Sequence, residues 1–465
     1  MRRLGPAVVA VSAIVAVVWG AGPTPGAAAA RAGSWGRAMP LPGLAALNKG
    51  GDAEVNAVSC PSAGNCTVGG TFDSNENGFV ASERHGRWSK AIKVPGLAAL
   101  SKNGETHLQA VSCGSATDCA AGGYYFSSDH PDGDEHSFVA VEQNGRWGNA
   151  IQLRGLTALN KGGDAEVDSL SCPSKGSCAA AGTHAGEVFL AAERNGRWGN
   201  AFAVPGLAAL NQGVNSDLGQ VSCGSAGNCV VGGIYGGRSG PAQGFLATER
   251  NGTWGKAMTV PGLSKHEGSE VDVVSCSSAG NCTAAGAGGS GPVFVVSERN
   301  GHWGKATALP GLAALNTSGL VELDQMSCSS EGNCAAGGTY QNLDLGFVAS
   351  ERNGRWGKAT ELPSPPFLTK GREAEVVSVS CAAAGICAAG GDYADRSDHD
   401  QGFVASAADG AWGKAVAVPG LAALNKGGLA GVTSVSCAPG GACTAVGSYG
   451  LRNGGFNGFV VTRTR

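Results

Sequence analysis

Short runs of alternating β-branched and small residues recur along the chain, and each run ends at a tight turn. In the seventh of these units the pattern predicts strand A at residues 375–381, strand B at 387–393, strand C at 402–406 and strand D at 412–418. The turn between strands C and D is Asp409-Gly410 here and Asn-Gly in other units, which is a strong hairpin signal. A longer connection, typified by Pro205-Gly-Leu-Ala-Ala-Leu-Asn211, joins consecutive units. Four strands in each unit favour a propeller blade over a solenoid coil.

The two ends of the chain indicate a closed ring. Trp35 begins a strand D that has no A, B or C before it, and the last unit supplies A, B and C, from Val432 through Phe459-Val460-Val461, with no D after it. Pairing residues 35–41 with this C-terminal triplet would complete an eighth unit and remove exposed sheet edges. We therefore predict an all-β fold, an eight-bladed β-propeller of four-stranded blades, closed by pairing the N-terminal strand with the C-terminal three strands. It would form one domain over residues 31–465. A seven-bladed ring with a spare unit is the alternative.

The sixteen cysteines form eight pairs of spacing C-x5-C, one in each unit. Exported proteins meet an oxidising compartment, so we expect a local disulfide in each pair. Zinc is the alternative, but its usual ligand spacing is tighter and the histidines do not follow the pairs. The predicted disulfides are Cys60–Cys66, Cys113–Cys119, Cys172–Cys178, Cys223–Cys229, Cys276–Cys282, Cys328–Cys334, Cys381–Cys387 and Cys437–Cys443.

The first thirty residues have the layout of a secretory signal peptide. Arg2 and Arg3 precede an apolar stretch over residues 7–19, and small residues at 27–30 offer a cleavage site. No later apolar stretch approaches the length of about 18 residues that spans a membrane. We therefore expect a secreted, extracellular protein without a membrane span in its mature form. Without residues 1–30 the chain has 31 basic and 36 acidic residues, a mild balance that offers no basic face to nucleic acid.

The recurring pattern W-G-K-A…P-G-L-A-A-L-N…V-S-C-x-S-A-G-N-C resembles secreted bacterial repeat proteins of largely unassigned function, over nearly all of residues 35–465. This resemblance implies export and a propeller-like fold, and it implies no established reaction. The segment Ser82-Glu-Arg-His-Gly86-Arg-Trp88 is also faintly similar to the Asp-box hairpin of sialidases and related propellers. It lacks the aspartate and is one residue short. The Asp-box is a structural turn, so this similarity implies no catalytic residue.

Because strands alternate in direction, the A–B and C–D turns should share one face of the ring, and the variable B–C and D–A loops the other. The variable face is the candidate binding surface, because loops on a rigid scaffold carry function. Six positions before the first cysteine, six units have an acid, with His107 and Gly431 as the exceptions. As strand A is innermost in a propeller, these acids predict a carboxylate collar that attracts a cation or a basic or polyhydroxylated ligand. The alternative is that each acid caps a loop in the same way. The candidate ligand-binding residues are Glu54, Glu166, Asp217, Glu270, Glu322 and Glu375.

Other conspicuous residues have a functional and a structural interpretation. Asp129, Asp132 and Asp134 crowd the second B–C loop and could hold calcium, although their spacing matches no known calcium loop and a solvated loop is the alternative. The tryptophan that begins each strand D could stack on sugars, but its place directly after a tight turn favours packing between or within blades. The Glu-Arg pairs at the end of strand C, such as Glu193-Arg194, are interpreted as solvated hairpin ends.

The sequence contains no nucleophile elbow, H-E-x-x-H motif or P-loop. Most conspicuous polar positions recur around the ring, whereas an enzyme usually needs one asymmetric set. We therefore predict a non-catalytic binding or scaffold propeller, a monomer that requires no cofactor and recognises a glycan or another cell-envelope component by its B–C and D–A loops. The alternative is a secreted glycoside hydrolase or lyase that acts at the same face.

Overall fold

The computed structural model describes residues 33–464, except 50, 75–76, 103, 128–134, 160–162, 212–214, 238–239, 265, 289–290, 318, 342–344 and 363–372. The described residues belong to one compact unit, Ala32–Arg465. The predicted signal peptide, residues 1–30, lies outside them. No helix among these residues is long and apolar enough to cross a membrane.

Each repeat forms an antiparallel sheet with the strand order A-B-C-D. A parallel bridge between Leu345 and Ala374 joins the sheets of the sixth and seventh repeats into one. Strands A are Glu54–Ser62, Thr106–Ser115, Ser169–Ser174, Ser216–Ser225, Val273–Ser278, Glu322–Ser330, Ala374–Ala383 and Ala430–Cys437. Strands B are Asn65–Phe72, Asp118–Phe126, Ser177–His184, Asn228–Gly237, Asn281–Gly288, Asn333–Tyr340, Ile386–Ala394 and Cys443–Gly450. Strands C are Asn77–Arg84, Glu135–Gln143, Glu187–Arg194, Gly240–Arg250, Gly291–Arg299, Leu345–Arg352, Asp400–Ala408 and Phe456–Arg463.

Strand D differs from the prediction because it is broken into two short pieces. The first pieces are Arg87–Trp88, Arg146–Trp147, Arg197–Trp198, Thr253–Trp254, His302–Trp303, Arg355–Trp356 and Ala411–Trp412. The second pieces are Ile92–Lys93, Ile151–Gln152, Phe202–Ala203, Met258–Thr259, Thr307–Ala308, Thr360–Glu361 and Val416–Ala417, with Met39–Pro40 as the equivalent at the start of the chain. The connection after strand D forms one helical turn in six places: Leu44–Leu47, Leu97–Leu100, Leu156–Leu159, Leu207–Asn211, Leu312–Leu315 and Leu421–Leu424.

The break in strand D has a cause in the neighbouring repeat. The alanine of the W-G-K-A segment donates its backbone N–H to a carbonyl in the connection of the preceding repeat, as Ala91 does to Pro42 and Ala150 does to Pro95. Seven such bonds of 2.6–2.7 Å run through the described residues. The alanine therefore turns away from strand C, and strand D cannot pair continuously. These bonds tie the outer edges of adjacent repeats together.

The ends of the chain pair as the sequence predicts. Met39 lies opposite Val460 and Pro40 opposite Phe459, and Trp35 forms an isolated bridge with Arg463. The last three strands thereby acquire their strand D from the start of the domain. This pairing covers an edge that would otherwise expose its backbone N–H and C=O groups.

A second set of hydrogen bonds joins the inner strands. The serine before each first cysteine accepts a hydrogen bond, through its Oγ, from the backbone N–H of the first cysteine in the next repeat, at 2.9–3.0 Å. The last of these runs from Cys60 to Ser436, so the set returns to its start. The eight donor and acceptor pairs are Cys113–Ser59, Cys172–Ser112, Cys223–Ser171, Cys276–Ser222, Cys328–Ser275, Cys381–Ser327, Cys437–Ser380 and Cys60–Ser436.

A glycine on strand B permits a bulge on strand A. The ladder shifts register between Val55 and Ala57, and a Cβ at Gly70 would overlap the carbonyl oxygen of Glu54. The same glycine, four residues after the second cysteine, faces the same carbonyl in every repeat. A side chain there would push strands A and B apart. The bulge leaves one extra residue of strand A, four positions before the cysteine, beside the predicted acid.

The two faces of the ring are assigned by contacts between turns. Gly86 in the C–D turn donates its N–H to the carbonyl of Gly64 in the A–B turn, and six other repeats make an equivalent bond. On the other side, Asn48 of the D–A connection accepts from the N–H of Asp73 in the B–C loop. The predicted all-β propeller class and all eight predicted disulfides are confirmed. The circle of serine bonds supports eight blades, and the blade count stays a prediction.

Replacing one of the serines that accept a hydrogen bond from the next repeat should lower the stability of the fold. Ser222→Ala leaves the N–H of Cys276 without its acceptor, and we expect the free energy of unfolding to fall by about 1–2 kcal/mol. Chemical denaturation measures this loss. Ser34→Ala, at an exposed position, is the control and should leave the midpoint unchanged. An equal midpoint for both variants would contradict the proposed importance of the circle.

The glycine at the bulge should not tolerate alanine. Gly182→Ala places a Cβ on the carbonyl oxygen of Glu166, so we expect a loss of at least about 2 kcal/mol or failure to fold. Gly240→Ala is the matched control, because a Cβ there meets nothing within 4 Å. Thermal denaturation of both variants tests the expectation, which a Gly182→Ala protein as stable as the control would refute.

Candidate ligand-binding site on the inner strands

The six predicted acids lie at the start of strand A or just before it, on the face that carries the B–C and D–A loops. Glu54, Asp217 and Glu322 are exposed, whereas Glu166, Glu270 and Glu375 are half-buried. Adjacent strands A pack against one another around the ring, so these positions surround its centre. The structure thus places the acids at equivalent positions, as predicted. Whether they bind a ligand stays a prediction.

A second, unpredicted set of acids stands at the bulge position, within strand A at Asp324 and directly before it at Asp168 and Asp272. Asp168, Asp272 and Asp324 each stand four positions before a first cysteine. Burial, reinforced by neighbouring carboxylates, raises the pKa of each of these three groups to about 7. The signal was present as Glu-Val-Asp or Glu-Leu-Asp, two acids separated by one apolar residue.

Electrostatic interactions join the acids of the two sets into two groups, one around Asp168 and one around Asp272 and Asp324. Glu166 and Asp217 raise the pKa of Asp168, and Glu322 and Glu375 raise that of Asp324, in each case after the larger effect of burial. Asp392 on strand B lies directly opposite Glu375, and burial together with this neighbour raises its pKa to about 7. We call the acids of both groups together the carboxylate belt: Glu166, Asp168, Asp217, Glu270, Asp272, Glu322, Asp324, Glu375 and Asp392.

Aromatic side chains stand at the end of the belt in the second repeat. His107 lies opposite Tyr124, and their rings stack with centroids 4.6 Å apart. Phe126 meets Tyr124 edge to face at 5.8 Å. Burial, followed by the charges of Glu135 and Glu166, raises the pKa of Tyr124 to about 12. The ring pair and the first acids of the belt are therefore close neighbours.

Hydrogen bonds hold the first acid of the belt in position. Glu166 accepts from Gln109 Nε2 and from Thr183 Oγ1, both at 3.2 Å. Burial, then the charges of Glu166 and Asp164, raises the pKa of Glu135 to about 7. At neutral pH this region therefore contains carboxyl groups in both protonation states. They can donate hydrogen bonds as well as accept them.

The predicted calcium ligands Asp129, Asp132 and Asp134 lie outside the described residues, so that site stays a prediction. Within the described ranges, no group of three or more potential ligands is arranged to hold a metal ion. The seventh B–C loop is also rich in acids. There, Asp395 accepts hydrogen bonds from the backbone N–H groups of Ser397 and His399. That acid shapes its own turn.

The tryptophans of strand D lie half-buried against the hydrophobic clusters of the repeats. Three of them donate from Nε1 to a hydroxyl of the preceding repeat; Trp303, for example, donates to Thr248 at 3.2 Å. This arrangement matches the packing role that the sequence favours.

The interpretation of the Glu-Arg pairs as solvated hairpin ends is wrong. The glutamates are buried, and Glu142 is only 2 % exposed. Four of them pair with the arginine of the preceding repeat: Arg84 with Glu142 at 2.7 Å, Arg194 with Glu249 at 3.0 Å, Arg250 with Glu298 at 2.6 Å and Arg299 with Glu351 at 3.5 Å. The partner lies about one repeat away in sequence, so the adjacent Glu and Arg belong to two different contacts.

Neither a protein-family model nor any curated protein matches the chain. Solved structures resemble it weakly. A puromycin hydrolase has 11 % identity and a TM-score of 0.45, with 90 % of this chain and 61 % of the hydrolase covered. A fucose-specific lectin from Aleuria aurantia has 10 % identity and a TM-score of 0.35, with 66 % and 93 % covered. A protein of unknown function from Dyadobacter fermentans has 9 % identity and a TM-score of 0.41, with 94 % and 100 % covered. The chain thus spans about three-fifths of the hydrolase, and these values carry no inference about function.

The raised pKa values of the belt should make stability depend on pH. An acid whose pKa is higher in the folded than in the unfolded state binds its proton more tightly when folded, so stability falls as pH rises from about 4 to about 7. Asp272→Asn should make this fall smaller, measured as the difference in unfolding free energy between pH 5 and pH 8. Asp409→Asn removes the same charge on the opposite face and should leave the difference unchanged. A wild-type protein that is more stable at pH 8 than at pH 5 would contradict the expectation.

Proposed function

We propose that this chain is an exported, non-catalytic binding propeller whose carboxylate belt recognises an extracellular glycan or another polyhydroxylated component of the cell envelope. The observation that carries the proposal is that carboxyl groups with a pKa of about 7 lie beside the stacked rings of His107 and Tyr124. Export is supported by the eight disulfides, which are typical of proteins that fold in an oxidising compartment.

The chemistry of the belt suits hydroxyl groups. A carboxyl group near its pKa is a mixture of an acid that donates and a carboxylate that accepts, and a sugar hydroxyl can do both. An aromatic face suits the apolar face of a sugar ring, and Tyr124 is only half-buried. A basic or amino-bearing glycan would gain further attraction from the ionised members of the belt.

The proposal predicts that binding depends on the second and third repeats. Glu166→Gln and Tyr124→Ala should each lower affinity for a bound polysaccharide at least tenfold, measured by pull-down and calorimetry on a panel of cell-wall polysaccharides. Glu331→Ala is the matched control, because this acid lies in an A–B turn on the opposite face and other repeats have alanine there. Absence of binding to every member of the panel would overturn the proposal.

The second candidate function, glycoside hydrolysis, is favoured by Glu135 and Asp168. An acid of pKa about 7 can protonate a leaving group at neutral pH, and both groups have this value. Reducing-sugar release from the same panel distinguishes the two functions. Hydrolysis that is lost in Glu135→Gln or Asp168→Asn would support the enzyme, whereas binding without release supports the binding propeller.

A further inference from the structure

The contact between the second and third repeats departs from the rule that four other contacts follow. At four contacts an arginine of one repeat reaches the buried glutamate of the next. Arg194 shows the geometry: its Nη2 donates to Glu249 Oε1 at 3.0 Å and to the carbonyl of Gly252 at 3.3 Å. The arginine thus neutralises a buried carboxylate and also joins the two C–D turns.

In the second repeat, Gln143 stands where the arginine should be. Its Nε2 donates to the carbonyl of Gly196 at 3.1 Å, which reproduces only the bond to the turn. The glutamate of the third repeat, Glu193, is 2 % exposed, and among the described residues its Oε1 has no hydrogen-bond partner. Burial, followed by the charge of Asp118, raises the pKa of Glu193 to about 7. Lys175, a basic residue of the third repeat, forms an ion pair with Asp118, with a distance of 3.4 Å between Nζ and Oδ1.

A second donor–acceptor pair is lost at the same contact. Trp303 and Trp412 donate from Nε1 to Thr248 and Ser350 of the preceding repeats. At the equivalent place before Trp198 stands Val141, which has no hydroxyl, and the buried Nε1 of Trp198 lacks a partner in the described part of the chain. Among the described residues, one buried acceptor and one buried donor therefore remain unsatisfied here. Glu351 and Trp356 at the contact between the fifth and sixth repeats have the same two kinds of unsatisfied atom, but there Arg299 pairs with Glu351.

A groove of about 810 Å³ lies over this contact. It is lined by Val141, Gln143 and Trp147 of the second repeat and by Gly196, Arg197 and Trp198 of the third. Glu193 does not itself line the groove; it lies directly opposite Trp198, which does, on the same hairpin. Gln143 is exposed, so its side chain can move away and open a path to the carboxylate.

We propose that this groove binds a guanidinium group, presented by an arginine side chain of a partner polypeptide, which pairs with Glu193 as Arg194 pairs with Glu249. The chain itself shows that the place accepts this group, because four equivalent places hold one. Arg146, Arg154 and Arg197 line the groove, so an arginine flanked by acidic residues fits its charge. The site lies away from the carboxylate belt and does not depend on the function proposed there.

A comparison with Glu83, the other buried glutamate without an arginine partner from the preceding repeat in the described part of the chain, shows how Glu193 differs. Glu83 also lacks an arginine from the repeat before it, where Thr464 stands at that position. Its own neighbour Arg84, however, acts on Glu83 and opposes the effect of burial on its pKa. At Glu193 the neighbouring charge is the carboxylate of Asp118, which raises the pKa of Glu193 in addition to the effect of burial.

The probe is a blocked Glu-Arg-Glu peptide, compared with the same peptide containing neutral citrulline, in calorimetry on the full chain. We expect one site per chain and at least tenfold weaker binding of the citrulline peptide. Free arginine amide should bind more weakly than the peptide. Equal affinity for the amide would overturn the polypeptide as partner, and equal affinity for citrulline would overturn guanidinium recognition.

Three variants locate the site. Gln143→Arg should raise the melting temperature by supplying the missing ion pair and should abolish peptide binding. Glu193→Gln should weaken binding at least tenfold. Arg194→Gln, which empties the next contact in the same way, should create a second site and raise the stoichiometry to two. Unchanged affinity in Gln143→Arg, or no binding of the arginine peptide to the wild-type chain at millimolar concentration, would overturn the proposal.

Discussion

The hydrogen bond from the first cysteine of each repeat to the serine of the repeat before it is the contact on which the ring depends. Strands A lie innermost, and the strands A of adjacent repeats do not pair with each other through their backbones. Their inner N–H groups would therefore be left without acceptors, which is costly where water is excluded. A serine side chain supplies the acceptor across the gap. The same hydrogen bond, from Cys60 to Ser436, joins the first repeat to the last. At its inner edge, the contact that closes the ring is therefore equivalent to the other contacts.

Two further sets of contacts lie outside this circle, and they differ in regularity. At the outer edge, the alanine N–H and the carbonyl of the preceding connection repeat with little change, because backbone groups are present whatever the side chain. Between the two, the buried glutamate and the arginine of the preceding repeat depend on side chains alone, and only four contacts have both. The inner and outer bonds hold the repeats together without this ion pair. The intermediate position is therefore free to vary. The residues that depart from the Glu-Arg pattern are Gln143, Ala407, Ala408, Arg463 and Thr464.

The sequence was informative where a residue type dictates local geometry. The C-x5-C spacing, the Asn-Gly turns and the out-of-phase chain ends predicted the disulfides, the hairpins and the closure. It was misleading where a residue's partner lies one repeat away, because adjacent residues such as Glu193 and Arg194 look like a local pair although each belongs to a different contact. The acids Asp168, Asp272 and Asp324 were missed for another reason. Their position beside the outer acids depends on a glycine of strand B, which becomes evident only when strands A and B are paired.

Repetition itself limits where a single ligand can be recognised. A feature present in all repeats, such as the serine circle or the strand D tryptophan, is explained by packing and would offer equivalent sites rather than one. A specific site needs a place where the repeat changes, and the second repeat is one such place. On one face it contributes His107, Tyr124 and Glu135 next to the belt, and at its contact with the third repeat it contributes Val141 and Gln143. Both proposed sites thus adjoin the same repeat for a physical reason: its departures leave charge and hydrogen-bonding groups that the scaffold does not satisfy.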